Sequence, residues 1–166
     1  MNLIVRIGVA LFAIATLWAS PIAQAADSTI VGSWRLLSWV EVETETKAVR
    51  AAFGDDPVGV ITYTPDGRMS IFIANPKRKA PAGPKATDAE ATDLYRTMVA
   101  YAGTYSVDGD TVTHKIEVSW NQTWSGTAQK RHIEIKEDHL TIKTPPIISP
   151  SSGKESVHTL VWERIK

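Results

Sequence analysis

The chain has 166 residues, with 18 Lys plus Arg against 18 Asp plus Glu and no cysteine. Balanced charge excludes a global field that would draw nucleic acid or an anionic membrane surface. The missing thiols exclude disulfides, thiol catalysis, zinc–thiolate sites and a lipid anchor on cysteine.

Met1–Arg6 carries one basic side chain, and Ile7–Ala19 is almost purely apolar. Ser20-Pro21 breaks that run, and Ala23-Gln24-Ala25 places small residues where a signal peptidase reads. The pattern predicts a signal peptide over residues 1–25, cleaved after Ala25, and one domain over 26–166. The apolar run is shorter than the roughly 20 residues of a membrane-spanning helix. The alternative is a retained N-terminal anchor. Cleavage would leave a soluble chain without a transmembrane segment, in the periplasm or secreted, and large enough to bury a core unaided.

From Gly32 onwards the chain reads as short strands. Gly32–Glu43 is rich in Trp, Leu and Val. Val58–Tyr63 and Arg68–Ala74 flank "TPDG", Thr64 to Gly67, which predicts a hairpin turn. The loop Asn75–Lys85 contains three prolines, and Thr87-Asp88-Ala89-Glu90 then fits a capping box. The helix it opens is predicted to reach about Tyr101, with Ala91, Leu94, Tyr95, Met98 and Tyr101 on one stripe and Gly103 as its end. Further strands are expected at Thr104–Val107, Thr111–Trp120, Gly126–Lys136, Leu140–Thr144 and Ser156–Ile165. About eight mostly antiparallel strands joined by tight turns favour a closed barrel or a sandwich.

"GSW" on the first strand matches the G-x-W signature of lipocalins. "VGVITYTPDGRMS", "YAGTYSVDGDTVTHKIEVS", "WSGTAQKRHIEI", "LTIKTPP" and "LVWERI" follow in order. With these segments the chain resembles the bacterial and fungal lipocalin-like domain family over Val31 to Ile165. The resemblance implies a β-barrel with an internal small-molecule cavity, which with the elements above makes an all-β, mainly antiparallel, about eight-stranded lipocalin-like barrel with one inserted α-helix. It also implies that Trp34 plugs the closed end and that Arg164, late in the last strand, packs across it. The helix lies between strands three and four rather than after the barrel, and the usual lipocalin disulfide is absent.

Alternation along regular strands then assigns faces. Trp34, Leu36, Ser38 and Val40 are expected inside, and Trp39 outside, either under the helix or alone on the surface. Val112, His114, Ile116, Val118 and Trp120 share an inward face. Gln129 and Arg131 share theirs with Ile133 and Ile135. Ile61 brings Tyr63 inward. A buried arginine is costly unless paired, and its planar fork suits a carboxylate. The alternatives are a satisfied core histidine at His114 and a rim position for Arg131. The four histidines lack metal-ligand spacing, and no nucleotide-binding or nucleophile-elbow motif is present, so no metal and no cofactor are expected.

These assignments predict a binding site made of Val40, Tyr63, His114, Trp120, Gln129 and Arg131. The expected partner is a small hydrophobic or amphipathic ligand with an apolar body and, facing Arg131, an acidic head. A cofactor-free isomerase, cyclase or hydrolase is the alternative, with His114 as general acid or base and Arg131 stabilising negative charge. A third reading is a filled, structural barrel. The oligomeric state is open.

Overall fold

A computed structural model describes residues 29–149 and 152–166. The leader expected over 1–25 lies outside the described residues. Among the described residues there are ten strands: β1 (Gly32–Glu43), β2 (Val49–Ala51), β3 (Val58–Tyr63), β4 (Arg68–Ala74), β5 (Met98–Asp108), β6 (Thr111–Ser119), β7 (Ala128–Lys136), β8 (His139–Lys143), β9 (Ile147–Ile148) and β10 (Glu155–Arg164). The helix α1 (Asp88–Arg96) joins β4 to β5, and a 3-10 turn (Gln122–Trp124) joins β6 to β7.

Every strand pairs antiparallel with its neighbours in the order β1-β3-β4-β5-β6-β7-β8-β10, and β10 returns to β1. Eight strands therefore close a barrel, which leaves no long edge unpaired. β2 and β9 are short additions on β1 and β10. The Thr64–Gly67 turn joins β3 to β4, with Gly67 N–H donating to the Thr64 carbonyl at 3.1 Å.

One end of the barrel is plugged. Trp34 is fully buried and its indole N–H donates to the Ile30 carbonyl at 2.9 Å. The Arg164 guanidinium lies 3.9 Å from the centre of the Trp34 ring and bonds the carbonyls of Val31 and Thr29. Gly32 makes this stacking feasible. Its φ of +132° suits glycine, and a Cβ there would stand 2.8 Å from Arg164 Nη1. The first strand thus needs both residues of G-x-W: one for the plug, the other for room.

Two β-bulges redirect the strands. The β1–β10 register slips between Leu36 and Ser38, so Leu37 is the extra residue. Past it the faces invert: Trp39 and Glu41 are buried, while Val40 is half-buried on the outer side. This corrects the outward assignment of Trp39 and the inward assignment of Val40. The β5–β6 register slips between Ala102 and Gly103, which leaves Glu117 unopposed and turns Val118 outward, 63% exposed.

The helix is shorter than its stripe predicts. Its capping box forms as expected, with Thr87 Oγ1 accepting from Glu90 N–H and the Glu90 carboxylate accepting from Thr87 N–H. It ends at Arg96 rather than near Tyr101, because Met98 already pairs with Ala74 of β4. Val99, Tyr101, Gly103 and Tyr105 are then buried at a period of two, the signature of a strand. Gly103 is accordingly a β5 residue facing the β6 bulge at Glu117, not a helix terminator.

Candidate functional site

The inward faces of the barrel enclose a cavity of about 50 Å³. That is on the order of four times the space one water molecule requires. Its walls are mainly aliphatic, including Ile61, Ile71, Ile73, Val99, Ile142 and Leu160. Polar groups enter from four strands: Tyr101 of β5, His114 of β6, Arg131 of β7 and His158 of β10. Trp124 of the 3-10 turn and Ile147 of β9 line it at the end opposite Trp34.

His114 is buried between two phenols. Its Nε2 is 2.8 Å from the Tyr63 hydroxyl and its Nδ1 is 3.0 Å from the Tyr101 hydroxyl. A neutral imidazole has one N–H and one lone pair, so it accepts from one tyrosine and donates to the other. Burial, reinforced by the positive charge of Arg131, lowers the His114 pKa to about 3. The ring is therefore neutral over the ordinary pH range. Burial likewise holds the hydroxyl protons on Tyr63 and Tyr101 by raising both pKa values. Because both ring nitrogens are engaged, His114 has no free lone pair for a substrate proton.

Arg131 is 6% exposed. Its guanidinium donates to the Lys130 carbonyl at 2.9 Å and to the Gln129 amide oxygen. Among the described residues no carboxylate forms an ion pair with it. A buried cation without a counter-ion projects positive potential into the low-dielectric lumen. Gln129 is half-buried and holds Arg131 rather than lining the cavity.

Of the other expected site residues, Tyr63 stands behind His114 and outside the lining. Val40 points away, for the reason given by the Leu37 bulge. Trp120 lies in an adjoining cleft lined also by Trp39, Phe53, Tyr95 and Val99, and meets Trp124 edge-on at 4.9 Å. Trp39 and Val99 border both spaces, so that cleft lies just outside the lumen on the side of α1.

Among the aromatic lining residues, Trp39, His158 and Trp162 are not assigned to the lumen by sequence, and Tyr101 is offered both as a cavity hydroxyl and as part of the helical stripe. The last strand held the signal for two of them. Ser156, His158, Leu160 and Trp162 alternate with residues that are less buried, so period two alone places them inside. Trp39 was hidden by a bulge, and Tyr101 by the apparent helical stripe.

A closed antiparallel barrel with a plugged end and a small, mostly apolar lumen defines a ligand-binding barrel of the lipocalin type. The chain belongs to the lipocalin-like domain family, which it matches over residues 31–165. It is also 34% identical over 89 residues to an Aspergillus oryzae protein named 4'-hydroxy-3'-methoxypropiophenone carrier protein ppsC; the match covers 48% of this chain and 78% of that protein.

Proposed function

We propose that the protein binds one small molecule in the barrel lumen, an apolar body of about one ring with an acceptor or acidic head directed to Arg131. The observation that carries this reading is the buried guanidinium, which faces an aliphatic cavity without a carboxylate among the described residues. At about 50 Å³ the cavity excludes a long acyl chain, and a single ring enters only as the wall yields, since a cavity of about 150 Å³ is what holds benzene. The relative named as a carrier of an aryl ketone supports the same size and chemistry. We further infer that the chain is exported, with cleavage after Ala25. N-terminal sequencing of the protein recovered from a periplasmic or culture fraction tests this, and an intact Met1 overturns it.

Mass spectrometry of the molecule co-purifying with the native protein tests the binding reading. A small aromatic or acidic compound, retained by the native protein and lost in Arg131→Ala, is the expected result. A protein carrying nothing, whose melting temperature is unmoved by millimolar benzoate or acetophenone, would overturn it.

A further inference from the structure

Among the described residues, two buried N–H groups of the lumen wall have no hydrogen-bond partner. Trp39 is the starting point, since an indole N–H can only donate. It donates to His158 Nδ1 at 3.0 Å. That nitrogen must carry a lone pair, so the ring is neutral and its proton sits on Nε2. His158 Nε2–H is buried and bonded to nothing among the described residues. The same holds for the indole N–H of Trp162, whose side chain is fully buried. Both residues line the cavity.

Among the described residues no acceptor of the lumen wall lies within hydrogen-bond reach of them. The hydroxyls of Tyr63 and Tyr101 are committed to His114. Thr144 Oγ1 already accepts from His158 N–H at 3.0 Å. Arg131 is itself only a donor. Buried donors in folded proteins are paired, and exceptions point to something that completes them. Here every uncommitted ring or guanidinium group on the wall is a donor, so what completes them must accept.

We infer that His158 Nε2–H and Trp162 Nε1–H are ligand-binding donors, and that the lumen selects molecules presenting carbonyl-type acceptor oxygens to the β10 wall. The two residues lie four apart on one strand face, roughly 13 Å between Cα atoms. They therefore serve two levels of the lumen, His158 towards the open end and Trp162 next to the plug. This inference rests on the binding reading above and adds the atoms and the polarity of recognition.

Acetophenone and cumene share one shape and differ in a carbonyl against a methine. Cumene is the more hydrophobic, so burial alone would favour it. The expected result with the native protein is acetophenone binding at least tenfold tighter, read by calorimetry. The indole N–H resonance that disappears in Trp162→Phe, or the His158 Nε2–H resonance, should shift with acetophenone and not with cumene. In Trp162→Phe and His158→Phe the preference should fall several-fold. Should either variant fail to fold, the shifts in the native protein decide alone. Cumene binding as tightly as acetophenone, with both resonances unmoved, would mean that water satisfies the donors; the inference then fails while lumen binding stands. Failure of both probes to bind would overturn the binding reading and this inference with it.

Discussion

At Gly103 a single hydrogen atom decides whether β5 and β6 can pair. A Cβ built there would stand 2.0 Å from the Lys115 carbonyl oxygen and 2.9 Å from Glu117 N, both backbone atoms that no rotamer change can move. Gly103→Ala is expected to destabilise the fold by about 2–4 kcal/mol, the range of severe backbone conflicts. Urea unfolding measures this, and a loss under ~0.5 kcal/mol would show that the bulge relaxes at little cost. Arg131 poses the opposite case. A buried cation without a carboxylate partner is retained at a cost, and exchanging such groups for apolar ones of similar length is often neutral or stabilising. Arg131→Met should leave the melting temperature unchanged or raise it while removing affinity for benzoate. A mutant that melts well below the native protein would instead make Arg131 a structural residue, held for its bonds to Lys130 and Gln129.

The elements divide into a barrel that is strongly tied and a helix that is not. No residue of α1 is buried, and Tyr95 is 50% exposed. Its order comes from local devices: the Thr87–Glu90 capping box and an Arg78 bond to the Leu94 carbonyl. Thr87→Ala is expected to weaken the helix by about 1 kcal/mol, the usual worth of a side-chain cap. Hydrogen exchange at Ala91, whose N–H bonds the Thr87 carbonyl, should speed roughly fivefold, while the global unfolding midpoint stays in place. An equal drop in both would mean that α1 is part of the barrel's cooperative unit. The same division explains what sequence could convey. The barrel strands other than the first half of β5, the hairpin turn and the capping box are local patterns and are legible, whereas the short β2 and β9 are not. His114 and Arg131 were legible because their strands run regularly up to them. The bulges at Leu37 and Glu117 were not, since one extra residue is invisible to a period-two reading yet reverses every face beyond it. Met98 and Tyr101 satisfied helical spacing by coincidence; pairing with β4, a long-range fact, decided against it.

For the whole molecule, the buried titratable groups predict how stability responds to acid. His114 has a folded pKa of about 3 against the ordinary histidine value of 6.5. As pH falls through 6.5 the unfolded chain takes up a proton that the native protein refuses, so stability declines with falling pH until about 3. The full difference is roughly 4–5 kcal/mol, taking about 1.4 kcal/mol per unit. His158 acts in the same direction: burial lowers its pKa, with Arg131 and Arg50 adding to that and Glu41 opposing it. Glu41 is the acidic counterpart. Burial alone would raise its pKa, but bonds from Arg50, Ser152, Ser156 and Ser149 outweigh this and hold it at about 2. Its stabilisation is therefore present above 4.5 and lost as pH falls towards 2. The combined profile should be flat above about pH 7, fall from 6.5, and steepen below 4.5. Domains of this size have only about 5–15 kcal/mol in total, so acid unfolding is expected before pH 3 is reached. The two windows can be separated. His114→Gln keeps a donor and an acceptor for Tyr63 and Tyr101 but does not titrate, so it should flatten most of the decline between 6.5 and 4.5. Glu41→Gln should leave that decline intact and reduce the steepening below it. Melting temperatures of the three proteins across pH 3–8 measure both effects. A native profile that is level from 6.5 down to 4.5 would show that His114 takes up its proton in the folded barrel, and that the tyrosine clamp is wetter than its burial implies.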